Sequence, residues 1–289
     1  MEIYDRQLKK VYTELEYRKG VLDYLYSNAF GRFLLKNFVV KPIISDMYSS
    51  YQKSIFSKKD IKPFIEKYGV NIPGVNIKNY KSFNDFFIRK LPVNVNSQKN
   101  ILISPAESKL LVYDITDDLR IDVKHSNYSI SEIVGDSWLA KQFKGGKCLV
   151  FRLGVNDYHR YIYIDNGELK DSVKINGVLH TVRSISSEYN VFSRNTRVVS
   201  VLDLNTLGRV VQIEVGALLV GKIQNNNKEY FIKGDEKGYF EFGGSTIIIL
   251  LKDDSAIIDS DILEQSKLGI ETKVSIGEQI GLVKEKYNG

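Results

Sequence analysis

Between residues 20 and 34 the apolar positions Leu22, Leu25, Tyr26, Ala29, Phe30, Phe33 and Leu34 recur at intervals of three and four. That spacing gathers them on one face of a helix. Gly31 weakens this helix, and Pro42 interrupts the next helical stretch. Residues 71–81, with Pro73-Gly74, read as a turn-rich connector. A short helix carrying Phe83, Phe86, Phe87 and Arg89 comes next, with Ser82 as its N-cap. From residue 100 the pattern changes to short apolar runs at 101–103, 110–113, 149–151, 161–164, 198–199, 210–213, 218–220 and 247–251. Turn residues separate them, among them Asp165-Asn166-Gly167 and Asn176-Gly177. One helix, about 129–141, breaks the series. Strand following strand favours an antiparallel arrangement over a doubly wound sheet. The expected fold is α+β, with a helical N-terminal region over 1–92 packed on an antiparallel β sandwich or barrel core over 93–289.

Composition narrows the chemistry. A chain of 289 residues with 43% hydrophobic content buries a core without disulfide staples. The single cysteine, Cys148, sits in an apolar run and reads as core, so no disulfide or cysteine–zinc framework forms within the chain. Three histidines (His125, His159, His180) without a His-x-x-x-His pair give no metal centre. Trp138 reads as a helix anchor against the sheet. The net charge of +6 suits an anionic partner. Lys36, Lys41, Lys53, Lys58, Lys59 and Lys62 accompany the N-terminal apolar face. That face either packs on the protein's own core or dips into an anionic leaflet. No apolar run reaches the roughly 18 residues of a membrane-spanning helix. The first 20 residues are charged and lack a signal-peptide core. These features place the chain inside the cell, with any membrane contact peripheral.

The most informative stretch is Gly243-Gly244-Ser245-Thr246 before the apolar run at 247–251. Its plain reading is a glycine turn entering a buried strand. Its chemical reading starts from two glycines that let the backbone bend and leave the Gly244 carbonyl open. Attack by the Ser245 hydroxyl would move the acyl group from nitrogen to oxygen. Elimination would then leave dehydroalanine, and hydrolysis of that would leave a pyruvoyl group. The step needs a base or a positioned oxyanion donor.

Further motifs accompany it in order: Phe83-Asn84-Asp85-Phe86-Phe87-Ile88-Arg89, Ser104-Pro105-Ala106-Glu107-Ser108, Asp157-Tyr158-His159-Arg160, Phe192-Ser193-Arg194-Asn195-Thr196-Arg197 and Val215-Gly216-Ala217-Leu218-Leu219-Val220-Gly221. Together they resemble the phosphatidylserine decarboxylase family over about residues 80–281. The resemblance implies cleavage between Gly244 and Ser245 into a β subunit of residues 1–244 and an α subunit of residues 245–289, held as a heterodimer. It implies a covalent pyruvoyl (pyruvate) group made from Ser245, which replaces pyridoxal phosphate as electron sink. It implies conversion of phosphatidylserine to phosphatidylethanolamine and CO₂ at the cytoplasmic side of the cell membrane. Anionic membrane surface is then the partner; a homo-oligomer is allowed for, and nucleic acid and metal are not expected. Ser245, His159 and Glu107 are the expected catalytic residues, with His159 serving decarboxylation.

Two positions depart from the family pattern. Glu107 stands where the family has aspartate, and Ile162 where it has a second histidine. In the family that pair is associated with activating the serine, as in a serine-protease triad. Three groups are candidates for the missing base: His159, His180 from a neighbouring strand, and Glu107 itself. Two other functions compete: a pyruvoyl-dependent decarboxylase of a soluble amino acid, and an uncut, non-catalytic lipid-binding relative.

Overall fold

The structure, a computed structural model, describes residues 2–14, 19–35, 42–70, 76–123, 126–180, 191–217, 222–242 and 245–284. Lys36, Lys41, His125, the 218–221 part of the glycine motif, Gly243 and Gly244 fall outside the described residues, as does Pro73-Gly74.

A ten-stranded sheet forms the centre. Its spatial order is Tyr230–Phe231, Gly167–Ile175, Arg197–Leu204, Gly208–Gly216, Ser245–Leu251, Lys147–Leu153, Ser108–Asp114, Glu271–Val274, Glu2–Asp5 and Lys10–Thr13. Neighbours are antiparallel except Glu2–Asp5 against Glu271–Val274, which are parallel. The two outermost strands do not pair with each other, so the sheet stays open. The Ser245–Leu251 strand explains the pattern best. All seven of its residues are buried, because both faces of the sheet are covered. Ile247, Ile249 and Leu251 enter the core shared with two three-stranded sheets. Ile248 and Leu250 enter a second core beneath the helices Ile130–Val134, Ser137–Lys141 and Val191–Arg194. The fold is α+β, as expected, without barrel closure.

The helical region differs from its sequence reading at one joint. Two helices, Lys19–Ser27 and Ala29–Leu34, stand where one was expected. The Asn28 side chain accepts from the Gly31 N–H at 2.7 Å and starts the second helix. Gly31 is required there, since a Cβ would lie 2.1 Å from the Tyr24 carbonyl oxygen. Pro42–Lys53, Ile61–Tyr68 and Phe83–Phe87 follow. Ser82 caps the last, its Oγ accepting from the Asp85 N–H. These helices converge on Phe64, Phe83, Phe86, Phe87 and Phe242.

The expected helix at 129–141 is also two, broken at Gly135 with φ of +79°. Trp138 is 70% exposed and anchors nothing to the sheet, because its helix turns Leu139 and Ala140 inward instead. Cys148 is fully buried, as expected, and burial raises its thiol pKa. Residues 2–13, within the span expected to be helical, form a hairpin on the sheet edge. Only Ile3 and Asp5 of the hairpin are buried, which leaves too little alternation to read from sequence.

Candidate functional site

Ser245 opens the central strand, with Leu153 on one side and Gly216 on the other. Its side chain is fully buried, and its hydroxyl has no hydrogen-bond partner among the described residues. A buried hydroxyl without a partner costs free energy. Such an exception asks for a reason, and reactivity is one. Ser245 shares its sheet face with Ile247 and, across the pairing, with Glu214.

Beyond Leu153 the chain turns through Gly154 into Asp157-Tyr158-His159. Asp157 holds the turn: its Oδ2 accepts from the Gly154 N–H at 2.6 Å, and both oxygens accept from the buried Lys109 ammonium. His159 is fully buried. Its Nδ1 lies 2.8 Å from the Asp157 carbonyl oxygen, which can only accept, so Nδ1 carries a proton. The ring rests 4.2 Å from the Phe87 ring, and Phe87 packs on Phe242 at 5.0 Å. The Phe240 N–H donates to the His159 carbonyl oxygen at 3.0 Å. His159 therefore lies against the segment that leads through 243–244 into Ser245.

The other motifs meet at the same place. The Asn84 Oδ1 accepts from the Phe242 N–H at 3.2 Å. The Arg160 Nε donates to the Ile88 carbonyl oxygen at 2.8 Å. Asn195 is fully buried, and its Nδ2 donates to the carbonyl oxygens of His180 and Gly216, each at 2.8 Å. Its Oδ1 accepts from the His180 N–H. His180 is thus tied through one side chain to the residue that pairs with Ser245. Its Nδ1 lies 3.2 Å from the Tyr26 hydroxyl. Burial, with Arg194 nearby, lowers its pKa to about 4, so the ring is neutral at pH 7.

Glu107 accepts from the Tyr158 N–H at 3.2 Å. Burial first, and the Asp157 charge second, raise its pKa. Ile162 donates its N–H to the Pro105 carbonyl oxygen at 3.0 Å. The two departures from the family pattern are therefore neighbours, and Ile162 adds to the apolar core there. Among the described residues, neither Glu107, His159 nor His180 hydrogen-bonds the Ser245 hydroxyl.

An ion network supports this turn from the opposite sheet face. Lys109 contacts Glu14 at 3.0 Å and Asp157 at 2.6 Å. Arg152 contacts Glu14 at 2.8 Å and Glu271 at 2.6 Å. Sequence reasoning missed Glu14, Lys109, Arg152 and Glu271, since charged residues in short strands look solvent-facing. It also missed the part played by Asn195, although the motif containing it was visible.

The Phosphatidylserine decarboxylase family model matches residues 83–282. The chain is 50% identical over 283 residues to "Phosphatidylserine decarboxylase proenzyme 2" of Clostridium acetobutylicum, covering 96% of this chain and 97% of that one. It is 38% identical over 291 residues to a "Phosphatidylserine decarboxylase proenzyme" of Clostridium perfringens, covering 97% and 99%. It is 40% identical over 291 residues to a protein of the same name from Clostridium botulinum, again covering 97% and 99%.

Proposed function

The chain belongs to the phosphatidylserine decarboxylase family and carries that family's carboxy-lyase activity; from that premise we propose that it matures by cutting itself between Gly244 and Ser245. The observation that carries the reading is the Ser245 hydroxyl, buried at the head of the central strand with no hydrogen bond among the described residues. The Ser245 Oγ attacks the Gly244 carbonyl carbon, and the acyl group passes from nitrogen to oxygen. Elimination releases the Gly244 carboxylate and leaves dehydroalanine. Water then adds and ammonia departs, which leaves a pyruvoyl group at residue 245. The site suits such a group in one respect: residue 245 is buried at the strand head, where a reactive carbonyl is shielded from bulk water. Once formed, it supplies a carbonyl for a primary amine and a sink for the electron pair left by CO₂.

The chain's own side chains handle the protons. His159, held through Nδ1 by the Asp157 carbonyl, presents Nε2 for proton return in the decarboxylation step. Glu107, with its pKa raised by burial and by Asp157, is poised to take and give up a proton during self-cleavage.

The substrate side is a membrane surface. Phe30, Phe33, Met47, Ile55 and Phe56 are exposed on the helical region, Phe56 by 75%. Lys53 and Lys59 are exposed in the same stretch of the chain as Ile55 and Phe56. Exposed apolar side chains with lysines close to them in the sequence suit peripheral insertion into an anionic leaflet. No helix among the described residues is long and apolar enough to cross a membrane.

Intact mass under denaturing conditions tests the core of this reading. The purified protein is expected as two fragments, residues 1–244 and 245–289, with a carbonyl at the new N-terminus of the smaller. Ser245→Ala is expected to stay whole. A wild-type protein that releases CO₂ from phosphatidylserine while its 244–245 bond is intact would overturn the proposal.

A further inference from the structure

A cavity of about 270 Å³ lies in the helical region, between Pro42–Lys53, Ile61–Tyr68 and Phe242. It is smaller than the roughly 300–1,000 Å³ usual for whole small-molecule ligands, so it fits a headgroup better than an entire lipid. Its walls are aromatic. Tyr48 lies 5.9 Å from Phe242, and Phe83 meets Phe242 edge-on at 4.8 Å. Gln52 lines it, 4% exposed, and its Oε1 has no hydrogen-bond partner among the described residues. A second acceptor is Asp60. Although Asp60 stands at the N-cap of Ile61–Tyr68, its carboxylate makes no capping bond and accepts from the Tyr51 hydroxyl instead. The exposed Lys67 sits at the rim, its ammonium 5.5 Å over the Tyr68 ring.

Aromatic walls with one buried acceptor, a half-exposed carboxylate and a cation at the rim match a particular ligand. An ammonium is attracted to ring faces and donates to acceptors. A buried amide oxygen with no donor is costly until one arrives. Lysine at the mouth complements a phosphate. We propose that this cavity binds the headgroup of a phospholipid that carries a primary ammonium beside its phosphate, as an ante-site beside the reaction centre. The inference rests on the decarboxylase reading for the lipid class, since phosphatidylserine and phosphatidylethanolamine share that ammonium and phosphate. A headgroup seated there touches Phe242, two residues before the scissile carbonyl of Gly244. It is separated from His159 by the Phe83, Phe87 and Phe242 rings.

The test uses the full-length Ser245→Ala chain, which can form no covalent bond to an amine. It is titrated calorimetrically with dihexanoyl phosphatidylserine, phosphatidylethanolamine and phosphatidylglycerol below their micellar concentrations. The two amine lipids are expected to bind, and the tighter of them identifies the ante-site as one for substrate or for product. Phosphatidylglycerol is expected to bind about tenfold or more weakly, as is either amine lipid to Gln52→Leu or Asp60→Asn. Lys67→Ala, a rim change that leaves the core intact, is expected to weaken both amine lipids. Equal binding of phosphatidylglycerol, or unchanged binding in variants whose thermal midpoints match the parent, overturns the ante-site. Pyruvoyl mass and CO₂ release by the wild type are measured separately. Their failure would sink the decarboxylase reading while leaving an ammonium pocket standing.

Discussion

At the scale of single residues, position 162 is the most instructive. Its backbone N–H meets the Pro105 carbonyl, so whatever stands there neighbours the turn that carries Glu107. Isoleucine fills that place with core and offers no proton acceptor. Ile162→His would restore an imidazole beside a carboxylate whose raised pKa marks it as desolvated. Two opposite effects are expected. The fraction cut, followed on denaturing gels after synthesis, rises faster than in wild type. The thermal midpoint falls by a few degrees, because placing a polar ring among aliphatic neighbours costs about 1–3 kcal/mol. An unchanged cleavage half-time would mean that another group already takes the serine proton. Glu107 acting without an imidazole is then first in line, and His180, which Asn195 fastens to the strand residue opposite Ser245, is next.

Elements differ in how plainly the sequence announces them. The Ser245–Leu251 strand was legible because burial on both faces leaves an unbroken apolar run. The helices were legible as a region but not at their joints. Asn28 and Gly135 break them by local capping and a left-handed turn, which periodicity alone does not detect. The N-terminal hairpin was invisible, since its value lies in charges that find partners only in three dimensions. Arg6 reaches Asp259, Asp261 and Glu278. Glu14 reaches Lys109 and Arg152. Of the proposed site, Ser245 and His159 were singled out by motifs that resemble the family's, whereas the Lys109–Arg152 network gave no sign in the sequence. That network is where an element-scale change should be felt. Glu271→Gln removes one partner of the buried Arg152 and is expected to cost about 3–5 kcal/mol, toward the lower end because Glu14 remains. The double change Arg152→Met with Glu271→Leu leaves no unpaired guanidinium and is expected to cost less. Urea unfolding of both variants in the uncut Ser245→Ala background measures the difference. A double variant weaker than the single one would show that the ions themselves, and not their mutual compensation, stabilise this strand pair.

At the scale of the whole molecule, the proposed cut falls inside the main sheet. Cleavage before Ser245 frees a chain end at the head of a strand in the interior of the ten-stranded sheet, between Lys147–Leu153 and Gly208–Gly216. Release of residues 245–289 would therefore open the sheet from within. Ile247, Ile248, Ile249, Leu250 and Leu251 are all buried, and at about 1.5–3 kcal/mol each they alone oppose separation by roughly 10 kcal/mol. Further along, Glu271–Val274 pairs with both Ser108–Asp114 and the N-terminal strand, and Gln279–Val283 pairs with Ile101–Ile103. The small fragment is thus laced into the large one at three separate strands, and its Glu271 holds the buried Arg152 of the other piece. The matured protein should consequently behave as one body. The two fragments are expected to co-elute at the mass of the uncut chain, or at a multiple of it, in native size exclusion, and to part only in denaturant. Their urea transitions should coincide, because neither piece keeps a complete core without the other. Elution of the small fragment by itself in native buffer would mean that cutting rearranges the sheet. Residue 245 would then not stay at the strand head where the precursor holds it.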